Sequence, residues 1–379
     1  MNTTRAVDLE DAEGLLAADR EGLLRAASSA GAQVRALAAA ADEGELDSIR
    51  GDDRPRSVIW VAGRGTAETA GLMLAATLGG AAAEPITVVS EAPPWVGPLD
   101  VLVVAGDDPG DPALVTAAAT GVRRGARVIV VAPYEGPLRD YTAGRAAVLA
   151  PRVWVPDGFG LCRYLAAGLL VVQTVDRRPG VDLGALADEL DAEALRNSAA
   201  RELFTNPAKT IAARMADRRV ALAGDCAATL ALARYGSSVF LRVAQQVVAA
   251  AALADAVVAL RDRGAAGFAG GSSVDALFHD DQIDGPLPET LRVLALTLDA
   301  ERTVVAARVA GFDDVYLLAA EDVPDLPDTP EALGRPVGPD GPAVSGARPA
   351  TGAGRPEQQL AVLAVRLETA AVYMRLARG

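Results

Sequence analysis

With 379 residues, 51% hydrophobic and only 4% aromatic, the chain is long enough for two domains of ordinary size with aliphatic cores. A formal net charge of −14 and a pI near 4.7 argue against a nucleic-acid partner, which requires a basic face, but leave room for a local cationic pocket. The two cysteines, Cys162 and Cys226, have neither metal-ligand spacing nor a disulfide framework, so a reducing, cytoplasmic setting is expected.

In chain order, Met1–Gly14 is acidic and lacks the basic and apolar regions of a signal peptide, so none is expected. Residues 8–47 carry Leu and Ala at helical spacing. Ser57–Ala62 is a short continuous apolar run, the mark of a strand buried on both faces. Gly63-Arg64-Gly65-Thr66 follows, then a helix to Leu78. Further strands are predicted at Ile86–Ser90, Val101–Ala105 and Arg127–Ala132, with Leu149 to Val155 closing the unit and a helix over Leu161–Thr174. This alternation predicts a parallel sheet with right-handed crossovers.

Asp176–Asn206 reads as a polar, helical connector, after which the pattern restarts. Arg219–Ala223 is a strand, followed by Gly224 and a helix through Tyr235. Offset by 161 positions, Ala62, Gly63, Ala67 and Ala70 match Ala223, Gly224, Ala228 and Ala231, which favours a duplicated fold. The apolar stretch Val243–Leu260 is interrupted by Gln245, Gln246 and Asp255, so it reads as a buried helix and not a membrane span. Strands near Leu291–Leu296 and Asp314–Leu318 complete the second unit. Pro324–Pro356 is rich in Pro and Gly and reads as a loop, and Glu357–Arg378 as a final amphipathic helix. The expected division is a helical segment over 1–50, a first α/β unit over 51–175, a connector over 176–206 and a second unit over 207–330. A Pro/Gly-rich loop over 331–356 and a C-terminal helix over 357–379 complete it.

Several residues could carry chemistry. Gly63-Arg64-Gly65-Thr66 sits between strand and helix, where free N–H groups can hold an anion and Arg64 and Thr66 add donors. A tight turn without a ligand is the alternative. In Gly106-Asp107-Asp108-Pro109-Gly110-Asp111 the carboxylates suit a helix N-terminus and repel a phosphate. His279, the sole histidine, lies beside Asp280 and Asp281 and could shuttle a proton, or be a solvated loop residue. Arg163, at the start of an apolar helix, reads by itself as a helix-end arginine whose stem covers apolar surface. Lys209, the only lysine, follows Asn206-Pro207-Ala208 at a helix start and reads as a surface or linker residue. No Gly-x-Ser-x-Gly elbow, Walker loop or His/Cys metal cluster is present, so serine hydrolase, P-loop and histidine-rich metalloenzyme readings fall away. Glu68 stands where a nicotinamide-binding loop would have its third glycine.

Taken in order, these segments resemble the bifunctional phosphoglucose/phosphomannose isomerases, and among them the divergent actinobacterial TobH-type members. The resemblance covers approximately residues 35–379. It rests on Gly63-Arg64-Gly65-Thr66 as the first glycine loop and on Asp157-Gly158-Phe159 with Arg163 before the last helix of the first domain. Asn206-Pro207-Ala208-Lys209, the Leu-x-His loop around His279, and the end with Tyr373 and Leu376-Ala377-Arg378-Gly379 complete it.

The resemblance implies an α/β fold of two tandem SIS domains, Rossmann-like with parallel sheets, flanked by N- and C-terminal helices and paired as a homodimer. It implies a phosphosugar ligand, aldose–ketose interconversion through a cis-enediolate, and no metal or cofactor. His279 would open the ring, Arg163 would stabilise the intermediate's charge, and Gly63, Arg64, Gly65 and Thr66 would bind substrate. Two departures stand against turnover. Where the family carries its base glutamate, Gln245-Gln246-Val247-Val248-Ala249 leaves Val248 or Ala249, neither able to accept a proton. The hydroxyl-rich phosphate loop is replaced by Ala105-Gly106-Asp107-Asp108-Pro109-Gly110. Two functions follow as alternatives: an isomerase whose base is Asp280, Asp281 or Asp284, and a non-catalytic sugar-phosphate-binding or regulatory protein.

Overall fold

The structure is a computed structural model and describes residues 6–51, 53–156, 158–176, 181–265, 290–321 and 355–378. His279, Asp280, Asp281, Asp284 and nearly all of the Pro/Gly-rich segment lie outside the described residues.

Three N-terminal helices, α1 (Ala12–Ala18), α2 (Leu23–Ala27) and α3 (Ala30–Asp42), precede the first sheet. That sheet contains β1 (Ser57–Val61), β2 (Ile86–Val89), β3 (Asp100–Ala105), β4 (Arg127–Val131) and β5 (Ala147–Val148). Its order is β2-β1-β3-β4-β5 and every pairing is parallel. The crossovers carry α4 (Gly65–Leu78), α5 (Pro112–Arg124) and α6 (Gly136–Thr142), and α7 (Leu161–Val175) follows the sheet. After α8 (Leu183–Arg196) and α9 (Pro207–Met215) comes a second parallel sheet of order β7-β6-β8-β9. It is built from β6 (Arg219–Gly224), β7 (Ala249–Ala252), β8 (Leu291–Leu296) and β9 (Val315–Leu318). Among the described residues its helices are α10 (Ala227–Ala244), α11 (Leu253–Ala265) and α12 (Arg302–Val309), and α13 (Pro356–Arg378) ends the chain.

Continuous apolar strands form here because both faces of each sheet are covered, so both sets of alternating side chains must be apolar. In β1 and β3, Val58, Trp60, Val101 and Val103 face one core while Ile59, Val61, Leu102 and Val104 face another. The second sheet does likewise: Val220, Leu222, Leu294 and Leu296 enter the first of those cores, and Ala221, Ala223, Val293 and Ala295 face an outer one. One core is therefore shared by both sheets, filled by α4, α7, α10 and α13. Helices α5 and α6 cover the outer face of the first sheet and α11 and α12 that of the second.

Four expectations are corrected. The stretch Val243–Leu260 is not one helix. Chain direction changes at Gln245, whose φ is +53°, and the alanines 249–252 pair with β6 as strand β7. Alanine has little intrinsic preference for strands, so only the ladder reveals this one. The first unit closes earlier than the expected Leu149 to Val155: its last strand is the two-residue β5 (Ala147–Val148), and the chain from Pro151 to Pro156 is loop, since proline cannot donate to a ladder. Helix α13 is buried on every side and is not amphipathic. Its polar residues are answered from within: Arg366 bonds Glu193 at 2.5 Å and the carbonyls of Ala319 and Ala320 at 2.7 and 2.5 Å. Lys209 is not on the surface. Its ammonium is buried, donates to the carbonyls of Ala199 and Arg201 at 2.8 Å each, and lies 5.7 Å from the Tyr373 ring centroid. Burial lowers its pKa against the opposing pull of Glu10 and Asp8, and its contacts knit the connector to the second unit.

Candidate functional site

In the first sheet the chain runs from β1 outward to β2 and then returns to the other side of β1 as β3. The carboxyl ends of β1 and β3 thus flank the point where strand order reverses, the usual ligand crevice of open α/β sheets. Two loops emerge there, Gly63–Thr66 after β1 and Gly106–Asp111 after β3. Gly65 has φ +73°, a left-handed conformation that glycine adopts without strain. Gly63 is exposed, and a Cβ there would find Ser90 at 3.7 Å, an ordinary contact. Thr66 is buried at the start of α4, and its hydroxyl has no hydrogen-bond partner.

The acidic loop is tied to its surroundings by three carboxylates. Asp111 caps α5, accepting from the Ala113 N–H at 2.9 Å, and its other oxygen accepts from the Arg64 guanidinium at 2.6 Å. Asp108 accepts from the Gly110 N–H at 2.8 Å. Asp107 accepts from the Tyr164 hydroxyl at 2.5 Å and from Arg163 Nη2 at 3.1 Å. Burial pushes the Tyr164 phenol above its ordinary value even with a guanidinium beside it, so it stays a donor. The expected capping is present at Asp111, and Asp111 and Asp107 in addition pair with the Arg64 and Arg163 guanidiniums.

Arg163 is the predicted site residue that the structure sets in a cavity. It lies in the first turn of α7, 5% exposed, with its guanidinium 4.1 Å from the Tyr164 ring centroid. The cavity holds about 300 Å³, at the lower end of the range for small-molecule sites, and Asp107, Pro133, Arg152, Trp154, Gly158 and Arg163 are among its walls. Arg163 Nη1 is buried and has no hydrogen-bond partner. A buried guanidinium N–H without an acceptor is costly unless a ligand supplies one. Gly63, Arg64, Gly65 and Thr66 do not line this cavity. The Arg64–Asp111 pair connects their loop to the cavity's acidic wall, and Arg64 is otherwise largely exposed.

Among the lining residues that the sequence did not single out are Trp154 and Arg152. Trp154 is 84% exposed, and Arg152 at the rim binds Glu43 through two bonds of 2.9 and 2.6 Å. The signal for both was the bracket Pro151 to Pro156, whose prolines favour a loop. Val248 and Ala249, the positions the resemblance matches to the family's base, offer no side-chain proton acceptor. Val248 is buried with its carbonyl accepting from Ser237 at 2.5 Å, and Ala249 is exposed on β7. Among the described residues no cluster of three or more His, Cys, Asp or Glu could hold a metal ion, and no helix is long and apolar enough to cross a membrane.

No family model matches the sequence, and no curated protein matches it. Solved structures do. Tagatose-6-phosphate ketose/aldose isomerase from Escherichia coli superposes with a TM-score of 0.58 at 13% identity, covering 100% of this chain and 96% of that one. The C-terminal domain of glucosamine-fructose-6-phosphate aminotransferase from Francisella tularensis gives 0.55 at 10% identity, covering 94% and 96%. A glucose-6-phosphate isomerase like protein from Thermus thermophilus gives 0.52 at 18% identity, covering 98% and 96%. The two parallel sheets around one helical layer are the tandem SIS fold of phosphosugar isomerase structures.

Proposed function

We propose that this chain binds a phosphorylated sugar in the cavity at Arg163 and does not interconvert aldose and ketose. The observation that carries the reading is Arg163 itself: buried, held on one side by Asp107, and left with an unpartnered donor on a residue of the cavity wall. A phosphate or a sugar oxygen supplies the missing acceptor, and the planar guanidinium suits either. Asp107 has lone pairs left for sugar hydroxyls, and the exposed face of Trp154 offers an apolar surface to a pyranose ring. The likeness to phosphosugar isomerase structures supports the same ligand class.

Turnover requires a base at the sugar's C1–C2 edge, and the expected position holds only Val248 or Ala249. Losing a general base costs roughly 10² to 10⁴ in rate. Asp107 is engaged by Arg163 and Tyr164 and is not offered as a replacement. The glucose 6-phosphate and mannose 6-phosphate class, the contribution of Gly63, Arg64, Gly65 and Thr66 to phosphate binding, a role for His279 and assembly as a cytoplasmic homodimer all belong to this proposal. The test is a paired measurement on one preparation. Glucose 6-phosphate, mannose 6-phosphate and fructose 6-phosphate are titrated calorimetrically, and each is incubated with the protein and assayed for its isomer. Binding without conversion is the expected result. Conversion abolished by His279→Ala would instead establish an isomerase with a relocated base.

A further inference from the structure

Behind the cavity wall lies a buried acid that the binding reading does not use. Glu368, on α13, is 2% exposed, and Tyr235, on α10, is also 2% exposed. The Tyr235 oxygen is within hydrogen-bond distance of two acceptors, the Gly158 carbonyl at 2.6 Å and the Glu368 carboxyl. A phenol has one proton, and a carbonyl can only accept. If Tyr235 donates to Gly158, the bond to Glu368 exists only when the carboxyl supplies the proton. Gly158 leaves little freedom in this arrangement. Its φ is +108°, and a Cβ there would come within 2.9 Å of Arg242 Nη1.

We propose that Glu368 and Tyr235 are positioning residues for the cavity, a two-link hydrogen-bond chain that holds the Gly158 wall from the second half of the molecule only while Glu368 carries its proton. The proposal rests on the cavity being the ligand site, and the device itself has a separate readout. When Glu368 gives its proton to water, the phenol's single proton turns to the carboxylate, because charge-assisted bonds are the stronger kind. Gly158 then loses its donor and the wall loosens.

The surroundings favour the protonated form. Burial raises the Glu368 carboxyl to about 8, with the Tyr235 bond and Arg242 acting in the opposite direction. Cys162, facing it from α7, is raised well above its ordinary value by burial and by Glu368, and stays a thiol. Of the other ion pairs of α13, Arg366 sits two residues from Glu368 and so on the opposite side of the helix, where it pairs with Glu193 on α8. Arg375, paired with Glu21, is two turns on, and Lys209 on α9 is engaged by the Ala199 and Arg201 carbonyls. The change therefore falls between pH 7 and pH 9.

Three readouts on the full chain test this. Infrared difference spectra between wild type and Glu368→Gln should show the C=O stretch of a protonated carboxylic acid at pH 7, bleaching with a midpoint near pH 8. Deuterium uptake in the peptide 151–163, corrected for intrinsic exchange, should rise over the same range in wild type. It should be high at every pH in Tyr235→Phe, and low and flat in Glu368→Gln, whose amide can still donate to Tyr235. Glucose 6-phosphate should bind roughly fivefold more weakly at pH 9 than at pH 7 in wild type, the factor equivalent to one neutral hydrogen bond, and equally at both in Glu368→Gln. Absence of the acid band at pH 7, or an unchanged rise in uptake in Glu368→Gln, overturns the proposal. If band and uptake behave as stated while glucose 6-phosphate binds no form, the positioning device stands and the ligand reading fails.

Discussion

Gly63 and Gly224 stand at matching positions, at or just past the carboxyl ends of β1 and β6, yet they do different things. A Cβ on Gly224 would lie 2.2 Å from the Leu230 N and 2.4 Å from the Thr229 carbonyl carbon, inside the backbone of α10. A Cβ on Gly63 would meet only Ser90 at ordinary distance. The second glycine lets helix and strand pack closely, whereas the first leaves an open loop beside Arg64 and the acidic turn. The matched alanines tell the shared half of the story: Ala67, Ala70, Ala228 and Ala231 are all buried in the common core. The two halves share this helix-on-strand packing, and the cavity with Arg163 lies at the first sheet.

The predictions that would sharpen or break this contrast begin at the seam joining the halves. Glu368 holds its proton more tightly in the folded chain, at about 8, than an ordinary glutamate at 4.5. Its contribution to stability is full below the ordinary value and is lost as pH rises through about 8. Relative to wild type, Glu368→Gln should gain stability progressively from pH 5 to pH 9, by on the order of 4 kcal/mol at the alkaline end. Urea midpoints across that range check it, and parallel curves would refute it. Next, Gly224→Ala should cost about 3 kcal/mol or more, since the clash is with backbone that cannot rotate away. Gly63→Ala, measured the same way, should stay within about 0.5 kcal/mol. Equal costs at the two glycines would erase the distinction.

A smaller effect concerns the first crevice alone. Asp111→Asn keeps an effective cap for α5 but removes the charge facing Arg64. Stability should change by less than about 0.5 kcal/mol, because exposed ion pairs contribute little. Affinity for inorganic phosphate should rise about two- to fivefold by titration calorimetry. No change would mean that the Gly63–Thr66 loop does not meet the anion.

The pattern of strand, glycine and helix was legible because burial on both sides leaves an uninterrupted apolar run that local reading detects. Strand β7 was hidden because four alanines carry no strand preference and sit inside a longer apolar stretch. Lys209 and α13 were misread for a related reason. The Lys209 ammonium is satisfied by backbone carbonyls of the connector and Arg366 by Glu193, 173 positions away, and composition alone assigns such groups to the surface. Arg163 was singled out by resemblance, but its pairing with Asp107, 56 positions away, arises only when the ends of β3 and α7 converge. The acidic loop that looked merely hostile to phosphate turns out to be the counter-charge of Arg163 and Arg64. Trp154 was visible as a residue, but its place at the cavity depended on the prolines around it.

The most direct measurement is calorimetric titration of glucose 6-phosphate and mannose 6-phosphate into wild type and Arg163→Gln at pH 7. Wild type should bind at least one of them, and the variant tenfold or more weakly, in keeping with the loss of a charge-assisted bond worth about 1.5–3 kcal/mol. Equal binding by both forms would contradict the central claim that Arg163 is the anchor of a phosphosugar site.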